Sequence, residues 1–166
     1  MVTENISNTC CFFGNRKINE TEELKPQLYE VVESLIINEN VSLFLFGSRS
    51  EFDKLCLKIV TEIKEKYPHI QRIYVRAEYP VITDLYKDHL LESYDDTYFP
   101  EKIKNAGKAA YVERNYEMID NSRFCIVYYD DNSANSRKSG TRIALEYAVK
   151  KGKEIIRFPK ESIYNE

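Results

Sequence analysis

Short apolar runs alternate with longer stretches of helical periodicity along most of this chain. Thr9 to Phe13, Val41 to Phe46, Ile70 to Val75, Phe124 to Tyr129 and Glu154 to Phe158 each read as a strand. Gly14 and Gly47 stop the first two, and Pro159 stops the last. Between them, Leu24, Leu28, Val31, Val32 and Leu35 share one helical face of Glu22 to Ile37. Pro26 sits in its first turn, where a missing N–H costs little. Phe52, Leu55, Cys56, Ile59, Val60 and Ile63 form a second stripe over Ser50 to Tyr67. Further helices are expected over about Ala109 to Asn121 and over Thr141 to Lys150, the latter closed at Gly152. Strands apolar at consecutive positions, separated by amphipathic helices, predict a Rossmann-like, doubly wound α/β fold. Its sheet is expected to be mainly parallel and five-stranded, with helices on both faces.

One segment breaks this rhythm. Residues 77–108 are longer than an ordinary connection in such a fold and carry Pro80, Pro100 and many tyrosines, with room for a short helix near Ile82 to Leu91. The segment reads as an inserted lid or an oligomer contact, with Tyr94, Asp95 and Tyr98 as its contact residues. Tyrosine is abundant, thirteen residues against no tryptophan, which suits base stacking and dimer interfaces alike.

Composition narrows the picture. A chain of 166 residues with 43% hydrophobic and 31% charged positions reads most economically as one globular domain, residues 1–166. A formal charge of −3 argues against nucleic-acid binding, because backbone affinity comes from clustered Lys and Arg. No apolar run is long enough for a membrane helix, and Met1 to Asn5 lacks the layout of a signal peptide, so the expected compartment is the cytoplasm. Cys10, Cys11, Cys56 and Cys125 include no C-x-x-C pair, and there are only two histidines, His69 and His89. Buried reduced thiols follow, with neither a metal site nor a cofactor expected.

In a parallel sheet every strand ends on the same edge, so four distant turns become neighbours. Gly14-Asn15-Arg16 offers a flexible glycine, an amide and a guanidinium able to hold phosphate or carboxylate, or merely a solvated turn. Gly47-Ser48-Arg49-Ser50 opens a helix. Its N–H groups could cradle an anion, while the Ser48-x-x-Glu51 spacing serves equally as a capping box. Arg76 ends the third strand. The loop from Asp130 to Thr141 brings Asp130, Asp131 and Asn132 as acceptors suited to a ribose, then Arg137, Lys138 and Ser139-Gly140-Thr141 at a helix start. Phosphate-type binding is the chemistry this combination favours, with Arg114 on the preceding helix as a further partner.

Several motifs resemble one family. Cys11-Phe12-Phe13-Gly14-Asn15-Arg16 is similar to the Phe-x-Gly-His-Arg opening of an uncharacterised bacterial branch of the SLOG superfamily. Tyr94-Asp95-Asp96-Thr97-Tyr98-Phe99-Pro100 resembles that branch's Tyr-Asp-x-Thr-x-x-Pro patch. Arg114-Asn115-x-x-Met118-Ile119-Asp120-x-Ser122, then Gly140-Thr141 and Lys150-Lys151-Gly152-Lys153-x-Ile155, resemble its C-terminal half. The resemblance runs from Thr9 to Phe158. It implies a Rossmann-like fold shared with the "lonely guy" phosphoribohydrolases, with DNA-processing proteins and with nucleotide-sensor domains, and it implies a homodimer. Set against the phosphoribohydrolase motif Pro-Gly-Gly-x-Gly-Thr-x-x-Glu, Arg114, Gly140 and Thr141 match, Arg137-Lys138-Ser139 stands where Pro-Gly-Gly would, and Ala144 occupies the position of the catalytic Glu. Glu146 is rotated from that position by roughly 200° on a helix. Asn15 replaces the histidine of the opening motif.

Retained phosphate-type turns beside a lost catalytic carboxylate favour binding of a nucleotide or nucleotide-derived small molecule, for sensing or sequestration. The alternative is a phosphoribohydrolase or nucleotide N-glycosidase using Arg114 with a carboxylate from Glu78, Asp95, Asp96 or Glu113. Single-strand nucleic-acid binding comes third.

Overall fold

The computed structural model describes residues 6–130 and 139–160. It is an α/β fold built on a six-stranded sheet, every neighbouring pair parallel, in the order β4-β3-β2-β1-β5-β6. In chain order the elements are β1 (Thr9–Gly14), α1 (Leu24–Glu39), β2 (Leu43–Phe46), α2 (Glu51–Lys66), β3 (Gln71–Val75), α3 (Asp84–Leu90), β4 (Asp96–Tyr98), α4 (Ala110–Asp120), β5 (Phe124–Tyr128), α5 (Gly140–Lys150) and β6 (Glu154–Phe158). The five strands expected from the apolar runs are present. The sixth, β4, lies inside the segment read as an insertion.

Pleating explains why the central strands are apolar at consecutive positions. Cys10 and Phe12 of β1, Phe44 and Phe46 of β2, and Phe124, Ile126 and Tyr128 of β5 point to one face. There α1 adds Leu28, Val32 and Leu35, and α2 adds Phe52, Cys56, Ile59 and Ile63. Cys11, Phe13, Leu45, Cys125 and Val127 point to the other face, against Met118 and Ile119 of α4 and Ala144 and Ala148 of α5. All four cysteines are buried free thiols, and burial raises Cys10 and Cys56 above the usual thiol range.

β4 is too polar and too short to announce itself in the sequence. It is made by side chains that fasten it to β3. Asp95 takes the Arg72 guanidinium in a bidentate pair at 3.0 and 3.1 Å and the Arg72 N–H at 2.8 Å. The buried Thr97 donates its hydroxyl to the Tyr74 carbonyl at 2.8 Å. Tyr94 turns inward, its ring centroid 5.1 Å from Tyr74 and 5.9 Å from Phe46. Tyr94, Asp95 and Tyr98 are therefore components of the sheet edge rather than of a lid, because an unpaired β3 edge is better satisfied by a strand than left open.

Two glycines mark where elements touch most closely. A Cβ on Gly14 would lie 2.5 Å from Phe52 Cδ2, so β1's end admits α2 only as glycine. A Cβ on Gly47 would lie 2.6 Å from Met118 Sδ and 2.7 Å from Arg114 Cδ. Gly140, on the first turn of α5, by contrast has no atom of the described residues within 4 Å of a Cβ built on it. Gly14→Ala is expected to destabilise the fold by about 1–3 kcal/mol through overpacking. Gly140→Ala is expected to leave stability unchanged or raised by about 0.5 kcal/mol, since alanine suits a helix. Urea denaturation of the two variants checks the contrast.

Candidate functional site

The strand order reverses between β1 and β5, so their carboxyl ends open a crevice at the switch point. A cleft of about 1810 Å³ begins there and extends across the ends of β2 and β3. It gathers all four turns anticipated from the sequence. Gly14, Asn15, Arg16, Gly47, Ser48, Arg49, Arg76, Arg114, Asp130, Ser139, Gly140 and Thr141 all line it, as does Glu78. Asp131, Asn132, Arg137 and Lys138 lie outside the described residues. Tyr94, Asp95, Asp96 and Tyr98 do not line the cleft; Asp96 and Tyr98 belong to β4, which pairs with β3 at the sheet's outer edge, and Tyr94 and Asp95 directly precede it.

At the switch point Asn15 is a stitch. Its N–H donates to the Tyr128 carbonyl at 3.0 Å and its side-chain oxygen accepts from the Asp130 N–H at 2.8 Å, joining the two strand ends. Arg16 is exposed, and its guanidinium has no partner among the described residues. The Arg16 carbonyl accepts the Glu51 N–H at 2.8 Å, which holds this turn beside the start of α2.

The two helix starts on the cleft differ in what their N–H groups meet. At α2 the cap is Ser50, whose hydroxyl accepts from the Asp53 N–H at 3.1 Å. The Ser48-x-x-Glu51 capping box does not form: the helix starts at Glu51, so Ser50 occupies the capping position and Ser48 bonds to Ser50. Asp53 then folds back. Its Oδ2 accepts from the N–H groups of Gly47 at 3.3 Å and Ser48 at 3.1 Å. The anion in this cradle is the protein's own carboxylate.

At α5 Ser139 caps the Arg142 N–H at 3.1 Å. The N–H groups of Gly140 and Thr141 and the Thr141 hydroxyl meet no acceptor among the described residues. Open first-turn N–H groups and the helix dipole favour an anion there.

Arg114 reaches this edge from α4. Only 4% exposed, it donates from Nη1 to the Gly47 carbonyl and to the Val75 carbonyl at 3.4 Å, and from Nε to the Asn115 side chain at 3.0 Å. Burial lowers its pKa from the ordinary guanidinium value, and the charge of Asp53 opposes that shift. Arg49 lies beside the hydroxyls of Tyr74 and Tyr86, whose charges hold its pKa above the ordinary value. Arg76 has turned inward. Its Nη1 donates to Thr97 Oγ1 at 3.1 Å and its Nε to the Tyr79 carbonyl at 3.1 Å, so it braces the loop after β3.

Asp53 escaped the reading of the sequence, as did Tyr74, Tyr86 and Tyr111, which also line the cleft. For Asp53 a signal existed: Ser50-x-x-Asp53 has capping-box spacing, and Asp53 interrupts the apolar stripe between Phe52 and Leu55. Burial pushes its pKa up to about 6, against the pull of the Ser48 and Gly47 N–H groups and of Arg114. Ala144 is buried among Phe13, Cys125 and Val127, part of the core rather than of the cleft.

The chain belongs to the YspA SLOG family, whose model matches residues 7–161. It is also 29% identical over 146 residues to an uncharacterised SPbeta prophage-derived protein, YoqJ, of Bacillus subtilis (strain 168), a match covering 77% of this chain and 81% of that one. Family membership points to a nucleotide-related, Rossmann-like function.

Because the folded-state pKa of Asp53 lies above its unfolded value, the unfolded chain ionises first as pH rises. Asp53 therefore costs nothing below about pH 4, weakens the fold progressively to about pH 6, and carries its full penalty above that. Asp53→Asn should gain on the wild type by up to about 3 kcal/mol between pH 4 and pH 7, read from urea denaturation at several pH values. A stability gap that stays constant across that range refutes the assignment.

Proposed function

We propose that the protein binds a nucleotide or nucleotide-derived small molecule in the cleft, for sensing or sequestration, with a phosphate at the start of α5. The observation that carries this reading is the contrast between two helix starts on one cleft. That of α2 holds the Asp53 carboxylate, whereas that of α5 presents the N–H groups of Gly140 and Thr141 and the Thr141 hydroxyl with no acceptor among the described residues. A phosphate supplies several acceptors at one point, and Arg16 adds to the same cleft a guanidinium without a partner among the described residues. Membership of the SLOG family supports a nucleotide as the phosphate's carrier.

Hydrolysis of an N-glycosidic bond is the second reading, and Asp53 is what favours it. This carboxylate lines the cleft near Arg114, and its pKa of about 6 suits a group that exchanges protons near neutrality. Against it stand the commitment of Asp53 to two backbone N–H groups and the burial of Ala144 in the core. Of the carboxylates the sequence offered, Glu78 lines the cleft, while Asp95, Asp96 and Glu113 do not.

Nucleoside phosphates are expected to raise thermal stability in a concentration-dependent way, by about 2.7 kcal/mol at a hundredfold excess over Kd. Thr141→Ala and Arg16→Ala should each weaken binding in calorimetry about tenfold while leaving the fold intact. A folded sample that binds no nucleoside phosphate at millimolar concentration refutes the reading. Release of free base from a nucleoside monophosphate, abolished in Asp53→Asn, promotes the hydrolase instead.

A further inference from the structure

Just beyond β3 the backbone takes a shape that the core does not require. Tyr79 has φ of +61°, in the left-handed region that side chains with a Cβ rarely adopt. The residue is 57% exposed, so burial in the core does not account for that conformation. What holds it is Arg76, which is only 8% exposed. Arg76 Nε donates to the Tyr79 carbonyl at 3.1 Å and Nη2 to the Pro80 carbonyl at 3.4 Å. Its Nη1 is anchored on Thr97 Oγ1 at 3.1 Å. A buried guanidinium is costly to desolvate, and here its donors fix two successive carbonyls of a surface loop.

The ring itself is braced from α3. Tyr86 meets Tyr79 edge to face, with centroids 5.9 Å apart and planes at 76°. An edge-to-face partner steadies a ring while covering at most one of its two faces, which leaves the other for a planar guest. Arg49 stands beside Tyr86 and Tyr74, and Tyr111 contributes another ring, 53% exposed. Tyr79, Tyr86, Arg49 and Tyr111 line the same cleft as Thr141 and Arg114, so an aromatic wall and anion-binding groups share one space. A cleft of about 1810 Å³ exceeds what a lone phosphate or sugar phosphate fills.

We propose that Tyr79, set by Arg76 and steadied by Tyr86, is the stacking platform for the aromatic base of the ligand. This rests on the nucleotide reading and deepens it: the ligand is selected as a base-bearing phosphate and not as a sugar phosphate. The left-handed backbone is the cost of presenting the ring, and Arg76 is the positioning residue that maintains it. Aromatic stacking of this kind tolerates different bases, since every base has a π face.

Calorimetry with a nucleoside 5′-monophosphate and with ribose 5-phosphate separates the two ideas, using the full chain. Wild type should bind the nucleotide roughly 5- to 100-fold tighter than the sugar phosphate. Tyr79→Ala should lose that advantage while binding ribose 5-phosphate as wild type does, and Tyr79→Phe should keep it. Arg76→Met, verified as folded by circular dichroism, should lose part of the advantage with its tyrosine intact. Undiminished nucleotide affinity in Tyr79→Ala overturns the platform and leaves the nucleotide reading standing. Failure of wild type to bind either compound overturns both.

Discussion

Arg114 donates to the carbonyl of Gly47 at close quarters, and the architecture of the cleft follows from that contact. The guanidinium is buried at the meeting of three elements, donating to carbonyls at the end of β2 and the end of β3 from a position on α4. A cation removed from water at such a place must be compensated by fixed acceptors. Two carbonyls and the Asn115 side chain provide that, and the Asp53 charge faces it across the Gly47 turn. The compensation demands close approach, which is why residue 47 has no side chain: a Cβ would sit 2.7 Å from the Arg114 stem.

From this pair the electrostatics of the edge unfold in sequence. Asp53 accepts from the N–H groups of Gly47 and Ser48, so the start of α2 is neutralised from within. The start of α5, capped by Ser139, presents first-turn donors that meet no acceptor among the described residues. Among the described residues, one sheet edge thus carries a closed cradle and an open one. The difference lies in a single acidic residue placed three positions after the capping serine of α2, a position held in α5 by Arg142. Charge placed by the fold, rather than the presence of a glycine turn, decides which turn can receive an outside anion.

The segment after β3 shows how differently its parts were legible. Its length and tyrosine content marked it as unusual, and a short helix was visible near its middle, observed as Asp84–Leu90. The sequence suggested a lid or an oligomer contact at Tyr94, Asp95 and Tyr98; Tyr98 lies in β4 and the other two directly before it, a strand with no apolar run to announce it. Three residues gain their strand character from a bidentate Arg72–Asp95 pair and from Thr97 bonding across to β3. Arg76 reads in the sequence as a guanidinium at a strand end, available to a ligand. In the fold it faces inward onto Thr97 and the Tyr79 loop, a commitment set by partners three and twenty-one residues away.

Local pattern determined most of the frame. Consecutive apolar positions fix strands buried on both faces, helical stripes fix α1 and α2, and a glycine after each of β1 and β2 fixes the edge where turns cluster. Those signals are short-range, so the parallel Rossmann-like sheet, the four cysteines in its core and the cleft-lining turns could be read from the sequence alone. Tertiary structure decided which polar groups on that edge were already satisfied. Asp53, Asn15 and Arg76 look as available as Arg16 or Thr141 in one dimension, and only the three-dimensional pairing of donors with acceptors separates them. Hydrogen-bond satisfaction is a property of neighbours in space, and the spacing of residues along a chain does not carry it.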